Sequence, residues 1–133
     1  EVVWGMDTDV STEKARSEEE AKALTERLYT QAQDQHSFSM VVEALLLRAR
    51  FVTIDGDLQL ALKYLDQARL TAEEKKLNLL RHKVDAEQKL FEVEFEKWQD
   101  LIQRNASLQE RLEHARIEDY LKEVQKLVTL MKD

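Results

Sequence analysis

The three histidines are the first candidates for metal binding or acid–base work. His36, His82 and His114 lie far apart in the chain, and none has a second histidine at the spacing that puts two ligands on one helix face. His82 and Asp85 are three apart and could share a face, but with 27 acidic residues among 133 such a pairing arises by chance. No metal and no cofactor is expected. Glu92, Glu94 and Glu96 would act as a general acid and base only if one pocket gathered two of them. They alternate with Val93 and Phe95, and at about 100° per helical residue they point to different sides. There is no His-Glu-x-x-His run, no glycine-rich phosphate loop and no Gly-x-Ser-x-Gly elbow. Cysteine is absent, which removes disulfides, cysteine-ligated zinc and thiol nucleophiles. Asn105-Ala106-Ser107 has the form of a glycosylation acceptor, yet with no secretory signal in view it reads as the end of one helix and the cap of the next. The expectation is a chain without catalysis.

What remains is surface, and composition says what carries it. Hydrophobic residues make up 43% and charged residues 35%, with no proline and two glycines. Sandwiches and barrels need glycine and proline at their turns, so an all-α fold is expected. The longest apolar run is four residues, Ala44 to Leu47, far short of the roughly 20 that cross a bilayer. A net charge of −7 opposes nucleic acid, and neither nucleic acid nor membrane is expected as a partner. The charge is uneven: nine acidic and four basic residues up to Ser37, then eighteen and sixteen. A cytoplasmic location is expected. A first residue of Glu1 rather than Met reads as a fragment of a longer protein or a processed product.

These surfaces need elements to carry them. Val2, Val3 and Trp4 are strand-like and Gly5 follows, so residues 1–16 are expected to be an arm or linker, trailing or docking Trp4 on the body, and 17–133 the helical domain. Ser17 and Glu20 have capping-box spacing, which predicts a first helix over about 18–35 burying Ala21, Leu24, Leu28 and Ala32. A second helix over about 38–53 is apolar around most of its circumference and is expected to be central. Asp55-Gly56-Asp57 breaks the chain, with Gly56 free to take a positive φ. A third helix over about 58–75 carries the stripe Leu58, Ala61, Leu62, Leu65, Ala68 and Leu70. From Leu77 to Arg104 no breaker occurs, which predicts one helix of about 28 residues, roughly 40 Å long. Ser107 with Glu110 opens a last helix to about Met131, whose apolar stripe slips by about two residues near Ala115 and so marks a bend or a change of partner.

Residues 42–75 resemble a tetratricopeptide repeat, a helix–turn–helix unit of 34 residues with small side chains at fixed places. Ala49 is followed seven residues later by Gly56 at the turn, then by Asp57, Leu58, Ala61, Leu65 and Ala68. The string Gly56-Asp57-Leu58-Gln59-Leu60-Ala61 is similar to the family's turn and helix opening, and Leu45 stands at its bulky opening position. Tyr29 and Ala32 resemble the end of a preceding repeat. The Leu77 to Arg104 helix departs from the pattern and looks like a terminal capping helix. The resemblance implies an array of about five antiparallel helices ending in two long ones. It also implies a groove, lined by the first helix of each pair, that takes a peptide or protein partner. Carried over, the groove residues are Glu43, Leu46, Arg50 and Thr53, with Arg81, Asp85 and Gln88 on the next helix. Arg50 and Arg81 would clamp a carboxylate.

Two functions are expected. One is a non-catalytic protein–protein interaction or scaffold module, the regulatory or assembly part of a larger intracellular protein. The other is a homodimerising helical bundle of a signalling or transcription-regulatory protein. Phe91, Phe95 and Trp98, with Leu127 and Leu130 on the last helix, are the candidate strip for self-association, unless the last helix folds back over it within one chain.

Overall fold

The computed structural model describes residues 2–131, with side chains for 13–131. Among the described residues there are six helices and no strand: α1 (Val2–Asp34), α2 (Phe38–Asp55), α3 (Leu58–Glu74), α4 (Asn78–Gln103), α5 (Leu108–His114) and α6 (Ile117–Met131). A helix without a polar face must be surrounded, and α2 is. Eleven of its 18 residues are buried, and it packs on each of the other five helices.

The closest partner of α2 is α3, and the reason is side-chain size. The buried residues of α3 are Ala61, Leu65, Ala68 and Ala72, spaced at helical period. Three alanines of four let the two backbones approach, and Ala49 meets them from α2 within the same core cluster. Leu62 and Leu70 do not share that stripe as expected. They sit off the Ala61–Ala72 period and stay 45% and 52% exposed.

The ion pairs fix directions. Lys22 reaches Asp55 and Glu26 reaches Arg48, so α1 runs antiparallel to α2. Glu43 is level with Lys83 and Gly56 with Ile102, so α4 runs parallel to α2. Two clusters form the core. One joins α2, α3 and the first half of α4 through Leu45, Ala49, Leu65, Val84 and Phe91. The other joins α1, α2, the end of α4, α5 and α6 through Leu28, Phe51, Trp98, Leu112, Ile117 and Leu127.

Four turns share one geometry. His36, Gly56, Lys76 and Asn105 all take positive φ, between 54° and 97°. At each, its own N–H returns to the carbonyl three residues back and the next N–H to the carbonyl five back, as in Ser37 N to Ala32 O at 2.8 Å and Leu77 N to Ala72 O at 2.8 Å. These are Schellman endings. Only one of the four uses glycine. His36, Gly56 and Lys76 lie twenty residues apart, so two helices with their turns occupy 40 residues, longer than the 34-residue unit the sequence resembles.

The chain differs from expectation at both ends. α1 is continuous from Val2, through the boundary expected between residues 16 and 17, so Ser17 is mid-helix and caps nothing. Gly5 costs a helix only about 1 kcal/mol, and with no proline nothing stronger interrupts it. The docking of Trp4 lies outside the described side chains. The last helix is two helices. Ser107 Oγ accepts from Glu110 N at 3.1 Å to start α5, and Arg116, at φ 55°, separates it from α6. The slip near Ala115 is the trace of that break.

Candidate functional site

The face of α2 that carries Glu43, Leu46, Leu47 and Arg50 is the face on which α6 lies. α6 packs along α1 and α2. It runs in the direction of α1: Lys14 meets Glu118 at 3.3 Å, and Val128 and Met131 share a groove with Leu24 and Leu28. Its period explains the fit. Ile117, Val124 and Leu127 are buried in the core, and Tyr120 and Glu123, on the flank of that stripe, point across α2 toward α4.

Arg50 is the centre of the seam. Only 8% exposed, it donates from Nη2 to Tyr120 Oη at 2.9 Å and lies 3.4 Å from Glu94 Oε1 through Nη1. Its guanidinium also stands over the Tyr120 ring, 4.8 Å from the centroid. Trp98, fully buried, donates from Nε1 to the same Glu94 oxygen at 3.4 Å. Burial raises the Tyr120 pKa, with the positive charge of Arg50 working against it. Lys83 on α4 forms the second link, donating to Glu43 Oε1 at 2.6 Å and to Glu123 Oε1 at 3.0 Å. Burial opposes its charge, but these two hydrogen bonds and the negative charges of Glu43 and Glu123 together raise its pKa.

Between the two links is a cavity of about 230 Å³ lined by Glu43, Leu46, Leu47, Lys83, Glu87, Asp119, Tyr120 and Glu123. Glu87 has no hydrogen-bond or ion-pair partner among the described residues. Burial pushes its pKa up, Arg50 and Lys83 oppose this, and Glu94 and Glu123 reinforce it. The seam therefore gathers five carboxylates, Glu43, Glu87, Glu94, Asp119 and Glu123, around two cations.

A second polar cluster sits at the C-terminal end of α2. Arg111 donates to Ile54 O, and Lys22 pairs with Asp55 at 2.9 Å, both favourable beside the negative end of a helix. Glu18 is 2% exposed, and its Oε2 lies 3.4 Å from Lys22 without hydrogen-bond alignment. Desolvation raises its pKa despite Lys22. His114 packs edge-on to Trp98 at 4.9 Å, with Nε2 buried and unpartnered. On the opposite side of α2, Arg48 is held between the rings of Tyr29 and Tyr64 at 4.1 and 4.7 Å.

The structure brings together three of the seven expected groove residues. Glu43, Leu46 and Arg50 line the α6 seam, whereas Thr53 is buried and bonded to Ala49 O at 2.7 Å. On α4 the expected residues lie away from the seam. Arg81 and Asp85 are exposed, Arg81 pairing with Glu73 at 3.3 Å, and Gln88 is half-buried. Lys83, Glu87 and Glu94 take their place. Glu87 and Glu94 follow Val84 and Phe91 by three residues, beside the buried stripe Val84, Phe91 and Trp98, and that spacing is the signal that could have found them. Glu92 and Glu96 are exposed, apart from Glu94. Of the self-association strip, Phe91, Trp98 and Leu127 are buried within the chain and Phe95 is half-buried. Leu127 is thus core rather than surface, because α6 turns its Val124 face inward. Leu130 alone is exposed, at 63%. His82 and Asp85 gather no third ligand: among the described residues no group of three His, Cys, Asp or Glu is placed to hold a metal ion. Among the described residues no helix is long and apolar enough to cross a membrane.

No protein-family model, curated protein or solved structure matches the chain.

Proposed function

We propose that the chain is a non-catalytic interaction module whose binding surface is the α2–α4 face and whose ligand is an amphipathic helix. The observation that carries this reading is α6 itself. It is an amphipathic helix whose apolar stripe packs chiefly along α1 and the end of α2, and whose Tyr120 and Glu123 reach the α2–α4 face. Helix-in-groove recognition uses anchors spaced three and four residues apart along one helix face, and α6 presents Ile117, Tyr120, Val124 and Leu127 at such steps. Burial of the apolar anchors provides affinity, and Arg50 and Lys83 select the partner's polar residues. The long helical hairpins and the tetratricopeptide resemblance of residues 42–75 agree with an assembly or scaffold role.

The test is titration of a labelled peptide with the sequence of residues 117–131 into the full chain. In a chain whose own α6 is loosened by Val124→Asp, Arg50→Glu should lower its affinity at least tenfold, with circular dichroism checking that both chains are equally helical. Equal affinity for both chains means that the binding surface lies elsewhere. A homodimer is the second reading, favoured by Leu79 and Val93, which stand 87% and 74% exposed on α4, two heptads apart.

A further inference from the structure

The occupant of the α2–α4 face is imperfectly matched to it. Within the face, Lys83 has Glu43 and Arg50 has Glu94, which leaves Glu87 as the odd carboxylate. α6 adds Asp119 and Glu123 to the same 230 Å³ cavity. Seating it therefore leaves three negative charges without a cation of their own, while Lys83 is shared between Glu43 and Glu123. The whole chain is acidic too, at −7, so a basic ligand gains from the long-range field as well as from the cavity.

The connection between α5 and α6 is short. The helix is tied to α5 through Arg116 alone, which takes a positive φ of 55° although it is neither glycine nor asparagine. A left-handed residue of that type is strained by about 1 kcal/mol or more. Residues 108–131 contain neither glycine nor proline, so α5 and α6 can join into one straight helix, which relieves Arg116 and carries α6 off the face. The pairs α1–α2, α2–α3 and α3–α4 contact one another without α6, which covers their core along α1 through Ile117, Val124 and Leu127.

We infer that α6 is an exchangeable occupant of the α2–α4 face, and that the preferred ligand is an amphipathic helix bearing lysine or arginine where α6 bears Asp119 and Glu123. This rests on the helix-binding reading above and adds the partner's charge and the chain's own means of excluding weaker ligands. The basic side chains would meet Glu87 and take over Glu43, leaving Arg50 on Glu94. A helix of the same apolar pattern but acidic flank would compete with α6 on equal terms only.

The probes are two labelled peptides, residues 117–131 as they stand and the same peptide with Asp119→Lys and Glu123→Lys, titrated into the full chain at low salt. The basic peptide should bind at least tenfold more tightly than the native one, and the gap should shrink as salt screens it. Glu87→Gln in the chain should cut the advantage of the basic peptide several-fold while leaving the native peptide's affinity as it was. If the native peptide binds as tightly as the basic one, the charge preference is wrong while helix binding stands. The chain variant Val124→Asp, which loosens α6 without touching the face, supplies the other control, with Tyr120→Ala as a milder alternative should Val124→Asp lose helicity. If neither peptide binds even these variants, the helix-binding reading itself falls. If the wild-type chain forms a dimer by exchanging α6, seen as a mass that doubles with concentration, the occupant is a second copy and the basic partner is overturned.

Discussion

The α2–α3 hairpin and the α2–α6 seam both bury one face of the same central helix, but they are closed by opposite means. The hairpin is closed by size: Ala49, Ala61, Ala68 and Ala72 bring two backbones together with no ion pair between them among the described residues. The seam is closed by pairing: Arg50 with Tyr120 and Glu94, and Lys83 with Glu43 and Glu123. Volume limits the first and charge limits the second. A substitution that adds bulk should therefore hurt the hairpin most, and one that removes a partner should hurt the seam most.

The largest effect is expected at Arg50. Arg50→Ala leaves Glu94 and the Tyr120 hydroxyl without their cation, and removing one member of a buried pair costs about 3 kcal/mol, the low end of the range because Glu94 keeps 24% of its side chain in water. Denaturant unfolding measures it, and a loss below about 1 kcal/mol would remove the seam's dependence on pairing. Next come Ala61→Leu and Ala68→Leu. Both alanines have no exposed surface, and overpacking there should cost about 1–3 kcal/mol. The same assay on Ala86→Leu, at an exposed site on α4, should register almost nothing. If all three behave alike, the close approach of α2 and α3 does not limit the hairpin.

The pH response sets the polar clusters, the seam with Glu87 and the α2 end with Glu18, apart from the hairpin. Burial raises the carboxyl pKa of Glu18 and Glu87 above the ordinary range. Between the unfolded and the raised folded value the native state holds protons that the unfolded chain has released. These groups' contribution therefore falls as pH rises through that window. Glu18→Gln and Glu87→Gln should each raise the melting temperature at neutral pH, with the gain disappearing toward pH 4, where the native acids are already protonated. A gain that persists unchanged at low pH would show that the desolvated charge is not its cause. The smallest effect belongs to a turn. Lys76 sits at φ 56°, and Lys76→Gly should stabilise by a few tenths of a kcal/mol, the left-handed strain relieved nearly offset by unfolded-chain entropy.

The sequence made the hairpin legible and left most of the seam hidden, for one physical reason. Alanine spacing, the Gly56 turn, the Ser107 cap and the slip at Ala115 are local signals, each read within one or two helical turns. The central place of α2 was legible in the same way, from an apolar circumference that only burial explains. The register of α4 against α2 is not local. It depends on which residue of α4 lies level with Glu43, and Lys83 does so rather than Arg81 because the stripe Val84, Phe91 and Trp98 sets the rotation of the helix. The start of α1 was obscured by a false signal. Ser17 and Glu20 are three apart as in a cap, but any helix rich in Ser and Glu contains such pairs, and only the chain's path shows that this one is interior.

Native-state hydrogen exchange on the full chain addresses the central contrast most directly. If the α2–α3 hairpin is the sealed half and α6 the exchangeable one, the amides of residues 118–131 should open together, at a free energy well below that of residues 41–54 and 61–72. Raising the pH, with exchange rates corrected for their intrinsic pH dependence, should widen that gap as Glu87 ionises. A single opening free energy shared by α6 and the hairpin would contradict the account, because α6 would then be part of the core rather than its displaceable occupant.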